Sequence, residues 1–148
     1  MSGLVESTAG SNKVAILNKL IDVLDGISDF TDHVYGGYRP SKAIRSSKII
    51  LVHLVEDRQV AHATEEDVHE LVFHVLVKYR SNLSDDPKDQ MDTFIDLVGK
   101  VEDTLKEHYN EEGIWENLEI DRINYTFGAE RDFVFYNGLL TVTIRAQW

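Results

Sequence analysis

The residues best suited to chemistry in this chain are its six histidines, at positions 33, 53, 62, 69, 74 and 108. No two of them stand in an H-E-x-x-H motif or another close metal-ligand spacing. His53 and His74 fall within strand-like segments, where a hydrogen-bonded structural histidine is the ordinary case. We therefore expect these two imidazoles to be structural.

A second group of candidate ligands surrounds the acidic run Glu65-Glu66-Asp67. His62 and His69 flank this run and are near enough in sequence to share a metal ion with Glu65 or Asp67. The spacing matches no established ligand motif. The sequence therefore predicts no metal site.

Other catalytic and cofactor motifs are missing from the sequence. The chain has no cysteine, which excludes disulfides, thiolate ligands and a cysteine nucleophile. It contains no G-x-S-x-G, P-loop or dinucleotide-binding fingerprint. The one glycine pair, Gly36-Gly37, is not followed at once by a helix, so it indicates a strand bend rather than a phosphate cradle. Asp85-Asp86 and Glu111-Glu112 lie at predicted helix ends, where capping explains them. We predict no enzyme activity and no cofactor.

Composition and charge limit the classes of partner. The 148 residues suit one domain, and the formal net charge is −11 with a pI of about 4.8. Such a chain is repelled by phosphate backbones and by anionic membranes. No stretch approaches the roughly 20 apolar residues of a membrane span, and the N-terminus does not resemble a secretory signal. Partners are therefore expected to be proteins.

The first half of the chain predicts one helix and three strands. Residues 1–10 are expected to form a flexible tail before a single domain at 11–148. Ser11 is a plausible N-cap for a helix that ends near Gly26. The run from His33 to Pro40 is expected to be a short strand, broken by the glycine pair and stopped by the proline. It leads to a basic loop at 41–47, a strand at 48–56 that is apolar on both faces, and an alternating strand at 71–80.

The second half predicts a helix followed by strands. Asp86 is the expected N-cap and Pro87 the first helical residue. The helix places on one stripe Met91, Phe94, Ile95, Val98, Val101 and Leu105.

The C-terminal third reads as strand. A strand over 115–127 changes its apolar face near Asp121-Arg122, which indicates a bulge. The sequence then predicts a turn at 128–131, a short strand and an Asn137-Gly138 hairpin. The last strand places Leu140, Val142 and Ile144 on one face. The predicted fold is α+β: a mixed, largely antiparallel sheet packed by two main helices, in the order α-β-β-β-α-β-β.

Two features point to a protein partner. Trp148 ends the chain on a strand, and a bulky aromatic side chain there can be buried by a neighbouring subunit or by its own domain. Two long polar segments, residues 57–68 and 128–138, carry few apolar anchors and are expected to become ordered in an assembly.

This layout resembles the small tail-terminator, or tail-completion, proteins of long-tailed bacteriophages. The resemblance rests on the first helix, the run Val34-Tyr35-Gly36-Gly37-Tyr38-Arg39-Pro40, the strands at 49–55 and 71–79, the helix at 87–107 and the final strand pair. It covers nearly the whole chain beyond residue 11. It implies a hexameric ring in the virion, assembled in the host cytoplasm, that caps the tail tube, stops its polymerisation and joins the capsid neck. Its partners would be further copies of itself, the tail tube protein and neck or connector proteins.

The resemblance also suggests roles for charged residues. DNA would pass through the ring without sequence-specific binding, and a negative channel would let it slide. As a hypothesis, Glu65, Glu66 and Asp67 line this channel. The candidate subunit interface comprises Lys42, Arg45, Lys78, Arg80 and Trp148.

Three other interpretations remain open from the sequence. The first is a neck or connector-adaptor subunit of the virion. The second is a small α+β ligand-binding domain with a pocket near Tyr35, Tyr38 and His53. The third, ranked last, is a small enzyme with an unfamiliar motif.

Overall fold

A computed structural model describes residues 9–37, 46–62 and 67–148 of the chain. The fold is α+β, and the predicted order α-β-β-β-α-β-β is confirmed. A short 3-10 turn, Ser28–Phe30, follows the first helix. The elements are α1 (Ala9–Asp25), β1 (Val34–Gly36), β2 (Lys48–His62), β3 (Asp67–Asn82), α2 (Pro87–Glu107), β4 (Asn117–Glu130) and β5 (Phe133–Gln147).

The five strands form one mixed sheet in the order β1-β2-β3-β5-β4. The short β1 pairs parallel to β2, and every other neighbouring pair is antiparallel. Helix α2 connects β3 to β4, and β5 then returns to fill the place between them. The described sheet therefore ends in β1 on one side and β4 on the other.

The hydrophobic core lies between this sheet and the two helices. Alternate residues of β5 point into it, including Leu140, Val142 and Ile144, each fully buried as the alternation predicts. The helices contribute buried side chains including Ile16, Leu20, Leu24, Phe94, Val98, Val101 and Leu105. Each such burial stabilises the fold by about 1.5–3 kcal/mol.

Helix α2 is attached to the sheet through its first turn. Asp86 is its N-cap, as predicted, and accepts hydrogen bonds from the backbone N–H of Lys88 at 2.9 Å and of Asp89 at 3.1 Å. The buried Gln90 donates from Nε2 to the Asn82 carbonyl at 2.6 Å, and its Oε1 accepts from the Tyr136 hydroxyl at 2.9 Å. These bonds set where the N-terminal half of α2 sits above β3 and β5.

The predicted Asn137-Gly138 hairpin is wrong. Both residues lie inside β5, and the chain reverses at Arg131-Asp132, where Arg131 has φ of 54°. A Cβ on Gly138 would lie 2.8 Å from Val98 Cγ2 and 3.4 Å from Phe94 Cζ. Glycine is needed there because α2 approaches the strand closely, and not because the chain turns.

Several predicted boundaries also move. Helix α1 begins at Ala9 rather than after Ser11, so Ala9 and Gly10, which we expected in the flexible tail, are helical. Residues 1–8 lie outside the described part. The described parts of the polar segments at 57–68 and 128–138 are largely strand, because β2 pairs with β3 and β4 pairs with β5 along them. The bulge at Asp121 is confirmed by the register shift between Ile120 and Arg122.

Candidate assembly interface

Two apolar residues of α2 are exposed, contrary to the predicted stripe. Met91 is 39% and Ile95 54% exposed, whereas Leu97, left out of that stripe, is buried. The buried arc of α2 is therefore rotated toward Leu97. Met91 and Ile95 lie near the C-terminal half of β4, which is the edge strand of the described sheet, so no further described strand covers them.

Two aromatic residues of β4 complete an apolar surface with them. Tyr125 is 54% and Phe127 76% exposed. Between these rings and the exposed flank of α2 lies a groove of about 320 Å³. We define the apolar groove by Met91, Ile95, Tyr125 and Phe127 at its rim and by Phe94 and Tyr136 at its floor. Among the described residues, no charged side chain lines it.

The groove adjoins a long strand edge. The outer side of β4 pairs with no residue in the described part of the chain. Asp121 bulges out of the ladder and its Oδ2 accepts a hydrogen bond from the Thr143 hydroxyl at 2.6 Å. Beyond the bulge, the register with β5 is regular from Arg122 to Glu130. An exposed edge beside apolar side chains is a ready docking surface for another chain.

The opposite end of the sheet exposes a different apolar surface. β1 covers only Ile50–Val52 of β2. Beyond it, Leu54, Val55 and Val60 are 40%, 48% and 44% exposed. We call residues 54–60 the β2 arm. Register shifts against β3 occur at Val55 and at Val60, so both valines stand at β-bulges.

Contacts within the subunit hold the β2 arm to the rest of the chain. The Asp57 carboxylate lies 2.5 Å from Lys13 Nζ and 3.2 Å from His69 Nδ1. Burial alone would raise the pKa of Asp57, but the hydrogen bonds from Lys13 and His69 outweigh it, and the pKa is lowered. His69, a candidate metal ligand by sequence, also stacks on Trp148 with ring centroids 3.8 Å apart.

The other predicted site residues fall into separate places. Trp148 is 8% exposed and packs within its own chain, and its backbone pairs with that of Asp67. Lys78 and Arg80 lie on one face of β3, where Arg80 stands 4.7 Å from the Phe133 ring centre. Outside the described residues lie Lys42, Arg45, Glu65 and Glu66.

The described residues give no support to a metal site or to the predicted ligand pocket near Tyr35 and His53. Within residues 9–37, 46–62 and 67–148, no three histidine or carboxylate side chains come together as a metal-binding group. Tyr35 and His53 do not line four surface cavities of about 300–420 Å³ that the described residues form, and Tyr38 lies outside the described part. Neither described helix is long and apolar enough to cross a membrane.

Comparisons with known proteins include a distant structural similarity. No protein-family model matches the chain, and no curated protein matches it. Among solved structures, it is similar to a chain of the virion of a native gene transfer agent particle. The identity is 13%, the TM-score is 0.47, and the match covers 86% of this chain and 84% of the other. Similarity at that level carries no argument about function, which must come from the geometry of this chain.

Sequence reasoning did not identify the apolar groove, although its signal is present. The apolar stripe of α2, with Leu97 added, is wider than one buried face requires. In β4, Tyr125 and Phe127 continue an apolar alternation past the bulge at Asp121. Excess apolar residues at adjacent ends of two elements mark an exposed surface between them.

Proposed function

We propose that this chain is a structural subunit of a phage-like virion that assembles into a closed ring. The ring would act as a tail terminator: it caps the tail tube, ends tube polymerisation and joins the tail to the capsid neck. One observation carries the proposal. The two ends of the described sheet are unlike, and both expose apolar side chains.

Unlike ends favour a head-to-tail contact between copies. The sheet separates β1 from β4 by about 19 Å, four strand spacings of about 4.8 Å. A two-fold contact uses the same surface on both copies and would cover only one of the two ends. A head-to-tail contact covers both ends at once, and it closes into a ring when the rotation between copies allows.

The resemblance to tail terminators supplies the remaining parts of the proposal. It implies six copies, with the tail tube protein on one side of the ring and neck or connector proteins on the other. The basic pair Lys78 and Arg80 would then contact an acidic surface of an adjacent subunit. Exposed ion pairs contribute little stability, so the apolar ends must supply most of the contact.

The channel of the ring is the second part of the proposal. Each copy carries a formal charge of −11, and Asp67 begins β3 immediately after Glu65 and Glu66. Replacing these three acids with lysine should slow DNA ejection while rings still form, because a basic lining holds phosphate. Unchanged ejection would show that another surface lines the channel.

Covalent capture tests the ring directly. The chain has no native cysteine, so introduced cysteines can be cross-linked without background. Thr126→Cys places a thiol on β4, and Glu56→Cys places one on the β2 arm. A short bis-maleimide should convert the double variant into a ladder of covalent oligomers ending at six. Each single variant should stay uncross-linked, because a head-to-tail contact does not bring like residues together.

Two outcomes would contradict the proposal. Dimers from one single-cysteine variant would show a two-fold contact, and absence of multimers at any protein concentration, with tail tubes present or absent, would show a monomer. Virion assembly separates terminator from neck adaptor. Without this chain, a missing terminator leaves overlong tail tubes, whereas a missing neck adaptor leaves tails of normal length that do not join capsids.

A further inference from the structure

We infer that the apolar groove is a socket that binds the β2 arm of a second copy of this chain, with Val55 and Val60 as the inserted side chains. This inference rests on the proposed ring and names the contact that would build it. The contact joins the two unlike ends of the sheet, one from each copy.

The socket presents an apolar surface that forms part of a protein interface. An aromatic side chain offers about 200 Å² for burial, so the exposed fractions of Tyr125 and Phe127 together present about 260 Å². Met91 and Ile95 enlarge this surface on the side of α2. A stable interface needs about 800 Å² from each partner, so the groove requires the β4 edge as well. An extended segment lying along β4 covers both.

The β2 arm has the complementary shape. A β-bulge leaves one residue outside the ladder and bends the strand, so its side chain is not committed to the rows of its own sheet. Both bulged residues here are valines with about half of their surface exposed. We expect these two exposed apolar side chains to fit into the concave groove. Two grooves brought together by a two-fold axis would enclose a void, and voids are unfavourable in packed interfaces.

Strand direction also fits this contact. β2 is antiparallel to β3, β3 to β5, and β5 to β4, so β2 and β4 run in opposite directions within one subunit. When copies stand side by side with their strands aligned, the β2 arm of one runs antiparallel to β4 of the next. Antiparallel addition of a strand to an exposed edge is a common mode of protein recognition.

Complementary blocked variants test the contact. Phe127→Asp blocks the socket and keeps the β2 arm, whereas Val60→Asp blocks the arm and keeps the socket. Each variant alone should be monomeric by sedimentation velocity at high protein concentrations where the wild type forms rings. A one-to-one mixture should form a heterodimer and nothing larger, because it contains one intact socket facing one intact arm.

The control is Tyr109→Asp, which changes an aromatic side chain that is similarly exposed just beyond the opposite end of α2. It should assemble as the wild type does. If Phe127→Asp or Val60→Asp still forms rings, or Val60→Asp alone forms dimers, the inference is wrong while the ring remains. If the wild type and the control never assemble, the proposed function fails with it. Thermal unfolding of all variants should agree within a few degrees, since all three sites are exposed.

Discussion

Substitution of Gly138 by alanine tests the close approach of α2 to β5, which places the floor of the apolar groove. The new Cβ would lie 2.8 Å from Val98 Cγ2, whereas carbon atoms pack best at about 3.5–4.0 Å. Val98 or the helix must therefore move by roughly 0.7 Å or more. Overpacking of this kind costs about 1–3 kcal/mol. Alanine also favours a strand over glycine by about 0.5–1 kcal/mol, which offsets part of that cost.

Gly128 provides the matched control, because it also lies in a strand and an added Cβ there meets nothing within 4 Å. Gly128→Ala gains the same preference of alanine over glycine in a strand without the clash. The free energies of unfolding of the two variants should therefore differ by about 1–3 kcal/mol. Urea unfolding measures this difference, which corresponds to roughly 2–12 °C in melting temperature for a domain of this size. Equal stabilities would refute the close approach and with it the position of Phe94 under the groove.

Two further predictions concern polar contacts between a helix and the sheet. Tyr136→Phe leaves the buried Oε1 of Gln90 without its donor and should cost about 1–3 kcal/mol in urea unfolding, and a neutral result would show that another donor replaces the hydroxyl. Asp57→Asn should cost less than about 1 kcal/mol at pH 7, since the Asp57–Lys13 pair is partly exposed. Because the pKa of Asp57 is lowered in the fold, its contribution is present above the unfolded value of about 3.9 and is lost as pH falls through the folded value. The stability difference from wild type should therefore shrink below about pH 4, and a difference that grows on acidification would contradict the assigned contacts.

The parts of the fold that local chemistry determines could be predicted from sequence. Asp86 before Pro87 starts α2 because a carboxylate caps free N–H groups wherever the first turn forms. The alternation through Leu140 predicts the buried face of β5 because strand geometry has a period of two. The bulge at Asp121 was visible as a change of that phase.

Features that depend on distant neighbours could not be predicted in this way. Asn137-Gly138 has the composition of a tight turn, but Gly138 is required by α2, forty residues away in sequence. The apolar stripe of α2 shows which of its residues are apolar. It does not show where the sheet ends, and therefore which of those residues the sheet covers. The sequence therefore places Met91 and Ile95 on one stripe with Phe94, although Phe94 is buried and the other two are exposed.

The same geometry bears on when a ring should close. A terminator must stay open until a tube end is present, so the contact between two free copies has to be weak. The proposed contact suits that requirement, because it joins two valines of the β2 arm to a groove of modest area. In a closed ring each copy makes this contact twice, and the last contact forms between ends that are already held close together. A tube end that collects copies in one place would therefore favour closure without strengthening any single contact. Val60→Ala weakens the contact slightly. This variant should raise the protein concentration needed for free rings far more than it affects rings on tubes.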